Sequence, residues 1–231
     1  MNNKFQLILA DPAWKFLDSL KMSDVARGAS SNYSVMSISD IKQLPIKSIA
    51  DPDGAILALW VPSSLLQEGL DTMNAWGFKH KQTYVWVKTK KETNSYSINN
   101  LLKNIESATK SFVSKKHWKE YFKICLQNIS MKDSLSFGMG RLFRQTHEIC
   151  LIGTNNNKIY KMLNNKSQRS VSFGENLKHS AKPEHLQDSL EIMFPTAKKI
   201  ELFARRNKPG WTCIGNEVCN GEDIRDSLAK L

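Results

Sequence analysis

The tetrapeptide Asp11-Pro12-Ala13-Trp14 has side chains suited to chemistry on a planar amine. An exocyclic amine on a nucleobase is a poor nucleophile because its lone pair is delocalised into the ring. The Asp11 carboxylate and the Pro12 carbonyl could accept hydrogen bonds from its two N–H groups. These acceptors would favour the build-up of positive charge on nitrogen during attack. Trp14 offers a stacking face for the base. An Asp-Pro turn followed by a core tryptophan explains the same residues, so the motif alone leaves both interpretations open.

The positive charge of the chain is concentrated in two segments. The 231 residues include 33 Lys and Arg against 22 Asp and Glu, a formal net charge of +11. Residues 90–134 hold nine lysines and four acids, and residues 155–182 hold five lysines, one arginine and one acid. The rest of the chain is therefore nearly neutral. This distribution suggests a polyanion site, with a lysine-rich solubilising surface as the alternative.

The composition sets several protein classes aside. Hydrophobic residues at 41% and charged residues at 24% are typical of a globular domain, and not of a disordered chain, a collagen-like fibre or a coiled coil. No run approaches about 18 uncharged apolar residues, so we expect no membrane span, and the N-terminus does not resemble a secretory signal. The four cysteines form no CxxC pair and no cluster with histidines. We therefore expect no metal site and reduced thiols in the cytoplasm.

Short apolar runs alternate with amphipathic segments along the chain. Runs expected as strands lie at 5–12, 55–62, 82–89, 147–154 and 198–205. Helical spacing of apolar residues predicts helices over 63–76 and from Pro183 to Phe194, and residues 39–44 resemble a short helix ended by Pro45. Strands that alternate with helices predict an α/β sheet of mainly parallel order, whose ligands bind at the carboxyl ends of the strands.

One segment interrupts this alternation. Nearly sixty residues separate the runs at 82–89 and 147–154, which is too long for an ordinary connection. Two apolar stripes at helical spacing predict a basic helical insertion at 90–134. It would bind a polyanion or recognise its target through Lys115, Lys116, Lys119 and Lys123. A helical hairpin used for packing or for a homodimer is the alternative.

Further short blocks follow the DPAW tetrapeptide in a characteristic order. They begin at Tyr33, Leu59, Trp76, Val85, Arg144, Ser180, Ile200 and Trp211. Through these blocks the chain resembles the N6-adenine methyltransferases with a DPPW-type signature. That family includes the eukaryotic messenger-RNA adenosine methyltransferase and many phage and bacterial DNA enzymes. Ala13 departs from the family pattern, which more usually has a second proline, and the insertion at 90–134 has no counterpart in the shorter relatives.

The resemblance implies a Rossmann-like methyltransferase sheet in permuted motif order that uses S-adenosylmethionine. It implies one domain over residues 1–231, with the insertion at 90–134 inside it. Asp11, Pro12 and Trp14 are implied as catalytic residues, and Asp11 is also implied beside the cofactor. The other implied cofactor residues are Lys182, Arg205, Asn207, Asn216 and Glu217. A lysine at a helix start suits a carboxylate, and Asn and Glu suit ribose hydroxyls.

The implied reaction is methyl transfer to the N6 amine of adenine in double-stranded DNA, in a bacterial cell or a phage-infected host. The target base must be flipped out of the duplex, and Tyr33 and Trp60 are implied in substrate binding. Methylation of RNA adenine or of cytosine N4 is an alternative, as is a non-catalytic nucleic-acid-binding subunit of the same fold.

Each implied residue also has a structural alternative. Lys182 could be a solvated cation before a helix, and Arg205 could be a surface residue. Gly215-Asn216 is a common turn pair, and Glu201 could face solvent on its strand. Tyr33 and Trp60 could be core aromatics.

Overall fold

The computed structural model describes residues 4–15, 36–90, 103, 134–138, 142–176, 182–218 and 221–231. Tyr33 and the four lysines Lys115, Lys116, Lys119 and Lys123 lie outside the described residues. Nearly all of the predicted insertion at 90–134 also lies outside them, so its helical character stays a prediction.

The described strands form one seven-stranded sheet. In chain order they are β1 (Leu7–Ala10), β2 (Ile56–Val61), β3 (Lys79–Thr89), β4 (His147–Thr154), β5 (Val171–Glu175), β6 (Lys199–Leu202) and β7 (Thr212–Ile214). In the sheet they are arranged β5-β3-β4-β2-β1-β6-β7. Together with the helices this confirms the predicted α/β class. The short strands β5 and β7 escaped prediction because their apolar alternation covers only a few residues.

The parallel order holds for only part of the sheet. Strand β1 pairs parallel with β2 and with β6, and β6 pairs parallel with β7. Strand β4, however, runs antiparallel to β2. The expectation of mainly parallel order therefore fails at β4. The long connection before this strand lets the chain approach β2 from either end, and the apolar pattern of a strand does not encode its direction.

Five helices lie in the described part of the chain. They are α1 (Ile38–Gln43), α2 (Ile46–Ile49), α3 (Leu66–Ala75), α4 (His185–Met193) and α5 (Ile224–Ala229). Helix α1 begins at a Ser37 cap, whose hydroxyl accepts from the Asp40 N–H, and it ends before Pro45 as expected. Short 3-10 helices span Ser63–Leu65 and Asn157–Met162. None of the described helices is long and apolar enough to cross a membrane.

The burial of the central strands explains why their sequences are almost wholly apolar. Every residue of β1 and of β2 is buried. A strand covered on both faces has no solvent side, so polar residues are excluded from it. The core around these strands includes Trp76 and Phe78, each 1% exposed. Glycine is required at Gly69 in α3, because an added Cβ would lie 2.6 Å from the Val61 side chain.

The chain divides into two compact units. The first comprises Met1–Val85, Glu148–Ser172 and Glu184–Leu231, and it contains β1, β2, β6, β7 and the five helices. The second comprises Trp86–His147 and Phe173–Pro183.

Candidate active site

Neighbouring parallel strands end at one edge of the sheet in the first unit. Ala10, the last residue of β1, is in register with Leu59 of β2 and with Leu202, the last residue of β6. Leu202 is in turn in register with Ile214, the last residue of β7. The segments that follow β1, β6 and β7 therefore begin side by side. Open α/β sheets bind their ligands at this edge.

Most of the predicted catalytic and cofactor-binding residues fall into these segments. The DPAW tetrapeptide follows β1, Arg205 and Asn207 follow β6, and Asn216 and Glu217 follow β7. Nearly two hundred residues of sequence separate the first group from the others, and the strand register brings their attachment points together. The implied association of the catalytic motif with the C-terminal third of the chain thus has a structural basis.

Backbone hydrogen bonds fix the DPAW turn. The Trp14 N–H donates to the Pro12 carbonyl at 2.8 Å, and the Met36 N–H donates to the Ala13 carbonyl at 3.1 Å. The Trp14 indole Nε1 donates to the Trp60 carbonyl at 2.9 Å. Asp11 is half-buried where the turn begins. These bonds hold the turn rigidly even though Ala13 lacks the second proline ring.

The rings of Trp14 and Trp60 lie in the core. Trp14 is 3% exposed and Trp60 is 2% exposed. Trp60 packs edge-on against Tyr84, with ring centroids 6.2 Å apart. The core alternative therefore describes Trp60 in this structure, and its carbonyl, instead of its ring, supports the DPAW turn. The burial of Trp14 likewise fits the alternative of a core tryptophan after an Asp-Pro turn, and stacking of a base on its ring stays a prediction.

Two predicted cofactor residues form an ion pair with each other. Arg205 Nε lies 3.6 Å from Glu217 Oε1. Their approach depends on Gly215, because an added Cβ there would lie 2.4 Å from the Ala204 carbonyl oxygen. Between β6 and Ala204, Phe203 adopts φ 61°, a left-handed conformation that costs energy for a bulky side chain. Such backbone strain is typical of functional sites.

Glu201 is a carboxylate in this region whose importance the sequence interpretation missed. It does not face solvent, because it is half-buried and its Oε2 accepts from the Gln187 side chain at 2.9 Å. Burial raises the pKa of Glu201, and the negative charge of Asp11 adds to this effect. The available sequence signal was a lone acid in the otherwise apolar run Ile200–Ala204.

The loop between β6 and β7 is fastened to α4 by charged side chains. Lys208 Nζ lies 2.7 Å from Asp188 Oδ1 and 3.1 Å from Glu184 Oε2. Arg206 Nη1 also pairs with Glu184, at 2.7 Å, and the Trp211 indole donates to Glu191 at 2.5 Å. The Lys208 side chain is only 11% exposed. These contacts hold the segment that carries Arg205 and Asn207.

The remaining predicted cofactor residues differ in their setting. Asn207, Asn216 and Glu217 are exposed, so they can meet a ligand from solvent. Lys182 belongs to the second unit, is half-buried and precedes Pro183. The described residues contain no group of three or more His, Cys, Asp and Glu side chains that could hold a metal ion.

The exposed side chains suit S-adenosylmethionine. Amide and carboxylate groups at Asn207, Asn216 and Glu217 can pair with ribose hydroxyls. The close backbone packing at Gly215 leaves the ends of β6 and β7 adjacent, as a ligand that spans both segments requires. The chemistry of this donor set therefore fits the cofactor that the resemblance implies.

The sheet and its helices define the class of protein as an α/β fold of the S-adenosylmethionine-dependent methyltransferases. The sequence profile of the MT-A70 family matches residues 5–116 and 103–217. The chain therefore belongs to the MT-A70 family, which confirms the resemblance drawn from the DPAW tetrapeptide and the blocks that follow it.

Curated relatives match nearly the whole chain. The N(6)-adenosine-methyltransferase MT-A70-like protein of Arabidopsis thaliana is 26% identical over 226 residues, which are 97% of this chain and 25% of that protein. The human N(6)-adenosine-methyltransferase catalytic subunit METTL3 is 25% identical over 93% of this chain and 28% of its own length. The Type II methyltransferase M.MunI of Mycoplasma sp is 23% identical over 93% of this chain and 78% of its own length. The chain thus spans about a quarter of the first two proteins.

Proposed function

We propose that the chain transfers the methyl group of S-adenosylmethionine to the N6 amine of adenine in double-stranded DNA. The observation that carries the proposal is the position of the DPAW turn beside the segments after β6 and β7 at one edge of the sheet. Membership of the MT-A70 family and the N(6)-adenosine-methyltransferase names of several relatives support the reaction class.

In this proposal the DPAW turn holds the adenine amine. The Asp11 carboxylate and the Pro12 carbonyl each accept a hydrogen bond from one of its two N–H groups. The Pro12 carbonyl already accepts from the Trp14 N–H, and its second lone pair can accept from the amine. Nitrogen would gain positive charge as its bond to the methyl carbon forms and the bond from that carbon to the sulfonium sulfur breaks, which leaves a neutral thioether, and these fixed acceptors would stabilise that charge. The proton is lost from nitrogen to solvent afterwards.

S-adenosylmethionine supplies a methyl group on a positively charged sulfur when it is bound. We assign its contacts to Lys182, Arg205, Asn207, Asn216 and Glu217, together with Asp11. Because the Arg205–Glu217 pair joins the ends of β6 and β7, it would keep both segments in position for the ribose. Positioning of this kind is a large share of what a direct-transfer enzyme provides.

The net charge of +11 and its two basic segments support a nucleic acid as substrate. We favour DNA because the chain carries its own basic segments and resembles stand-alone phage and bacterial enzymes. The match to a type II methyltransferase over 78% of that protein agrees with this choice. A cytoplasmic location, where DNA and the cofactor meet, follows from the same proposal. The names of the eukaryotic relatives keep RNA adenosine as the second candidate.

Transfer of labelled methyl from S-adenosylmethionine to DNA tests the role of Asp11. Asp11→Asn keeps the shape of the side chain and removes its charge, so we expect transfer to fall at least about a hundredfold. Asp226→Asn is the matched control, since Asp226 is exposed on α5 and lies outside the site. Circular dichroism and thermal unfolding should match wild type for both variants. Substantial transfer by Asp11→Asn would defeat the proposed role.

Nucleoside mass spectrometry after incubation with DNA or RNA separates the alternatives. The proposal predicts N6-methyladenine in DNA. N6-methyladenosine in RNA alone would establish the second candidate, and N4-methylcytosine would show a different target amine. Absence of S-adenosylmethionine binding by calorimetry would instead favour a non-catalytic nucleic-acid-binding subunit.

A further inference from the structure

The second unit carries an exposed apolar tip formed by Leu142, Phe143 and Phe137. Leu142 is 92% exposed, Phe143 is 85% exposed and Phe137 is 53% exposed. The first two are the most exposed large hydrophobic side chains among the described residues. Adjacent apolar side chains left in water at this level indicate an interaction site.

The backbone beneath the tip is well ordered by hydrogen bonds. Gly138 and Gln145 exchange both backbone hydrogen bonds, at 2.8 Å and 3.2 Å. The end of β3 bonds to both of the segments that contain these residues. The Lys88 carbonyl accepts from the Ser136 N–H, and the Lys88 N–H donates to the Thr146 carbonyl. A tip on a fixed base loses little conformational freedom when it binds.

The tip carries a cation, and it belongs to a unit whose described residues are mainly cationic. The Arg144 guanidinium lies over the Phe137 ring, 5.6 Å from its centroid. Among the described residues of the second unit, Glu175 is the sole acid. The cations of that set are Lys88, Lys90, Lys103, Arg144 and Lys182. Apolar side chains among cations suit a nucleic acid, whose phosphates attract the cations and whose bases offer apolar faces.

A second copy of the chain fits the tip less well. A stable protein interface buries about 800 Å² and about 20–30 residues on each partner, whereas the tip consists of three side chains. A two-fold contact places the same patch on both subunits. It would bring Arg144 of one copy towards Arg144 of the other and add repulsion.

We propose that Leu142 and Phe143 insert into the base stack of duplex DNA while Arg144 contacts a phosphate. The choice of DNA rests on the proposed function. An adenine that leaves the duplex vacates its place in the stack, and apolar side chains are the groups that proteins insert between base steps. The tip therefore stabilises the opened duplex, a role separate from the chemistry at Asp11.

Binding to an intact duplex and to a duplex with one abasic site tests this insertion. The abasic duplex already has the gap, so wild type should bind it about tenfold more tightly than the intact duplex. In the Leu142→Ser, Phe143→Ser double variant this ratio should fall to about one. Val171→Ser with Ile192→Ser is the matched control, because both side chains are exposed and belong to the first unit. The control should keep the wild-type ratio.

Arg144→Gln gives an independent readout. It should reduce the slope of log affinity against log salt by about one, whereas the double variant should leave the slope unchanged. A double variant that keeps the wild-type preference for the abasic duplex would overturn the proposal. A double variant that turns a dimer into a monomer in sedimentation and binds DNA normally would overturn it in favour of a protein contact. Methyl transfer is not among these readouts, so a failure of the proposed function would be seen separately.

Discussion

Asp11 directly follows β1 and Glu201 lies within the neighbouring strand β6, and the two carboxylates have different surroundings. Asp11 begins the DPAW turn, whereas Glu201 lies within β6 and accepts from the buried Gln187 side chain. Burial raises the pKa of Glu201, and the hydrogen bond from Gln187 offsets only part of that rise. A carboxylate with a raised pKa is disfavoured in its charged form by the folded state. Glu201 therefore makes the free energy of unfolding depend on pH, and it lies close to the DPAW turn.

The variant Glu201→Gln tests this dependence. The folded chain holds the Glu201 proton more tightly than the unfolded chain does. Its stabilising contribution is fully present below the ordinary value of 4.5 and is lost as pH rises through the raised pKa. We therefore expect Glu201→Gln to raise the free energy of unfolding at pH 7, by about 1.4 kcal/mol for each unit of pKa elevation. Urea unfolding at a series of pH values measures the effect, and a difference that is constant from pH 4 to pH 8 would contradict it.

The loop between β6 and β7 is the element that presents two of the predicted cofactor side chains, Arg205 and Asn207. Its lysine, Lys208, lies among three acids of the α4 region, at 2.7 to 3.9 Å. Burial alone would lower the pKa of Lys208, and hydrogen bonds to Asp188 and Glu184 reverse this and raise it. Lys208 therefore stays positively charged and holds the loop against α4. We expect it to be a positioning residue for Arg205 and Asn207.

Replacement of Lys208 should weaken cofactor binding. Lys208→Met removes the hydrogen bonds to Asp188 of α4 and to Glu184, the residue before α4. We therefore expect a loss of about 1–2 kcal/mol in the free energy of unfolding. The Kd for S-adenosylmethionine should rise about tenfold, with a smaller change in kcat, and Lys208→Arg should restore most of the binding. Lys158→Met is the control, because its pair with Asp53 is exposed on both sides. A destabilised Lys208→Met protein with an unchanged Kd would reduce Lys208 to a structural role.

At the scale of the whole molecule, charge and apolar surface are distributed unevenly. The two basic segments, 90–134 and 155–182, each carry a net charge of +5. The remainder of the chain, which contains the DPAW turn and the ends of β6 and β7, is nearly neutral. The described residues of the second unit also carry the exposed Leu142 and Phe143. Apart from Lys182, this separation supports the proposal that the methyl-transfer site and the nucleic-acid contacts occupy different parts of the chain.

Neutralising the lysines of the predicted insertion tests this division. Replacing Lys115, Lys116, Lys119 and Lys123 by Gln should weaken DNA binding and flatten its salt dependence, because each phosphate contact releases counterions. The affinity for S-adenosylmethionine should stay at the wild-type value. Titrations at several salt concentrations measure both quantities. An unchanged salt slope would favour a packing or homodimer role for residues 90–134.

Much of the sheet, and the place of the candidate site within it, could be predicted from local sequence. The DPAW tetrapeptide after a buried run predicted a functional turn at the end of β1, and the apolar runs identified β2, β3, β4 and β6. The side chains of Trp60 and Glu201 could not be placed in this way. Their surroundings consist of residues distant in sequence, such as Tyr84 for Trp60 and Gln187 for Glu201. Local spacing carries no record of such neighbours.

The amino-acid sequence by itself determined the central strands, the position of the DPAW tetrapeptide after one of them and the family of the chain, because each depends on short-range patterns of residue type. Tertiary structure alone decided the antiparallel course of β4, the Arg205–Glu217 pair and the anchoring of Lys208 on α4. It also decided that Ala10, Leu202 and Ile214 end in register. Strand register and side-chain pairing are settled by the joint packing of segments far apart in sequence. This packing brings Asp11 beside residues nearly two hundred positions later.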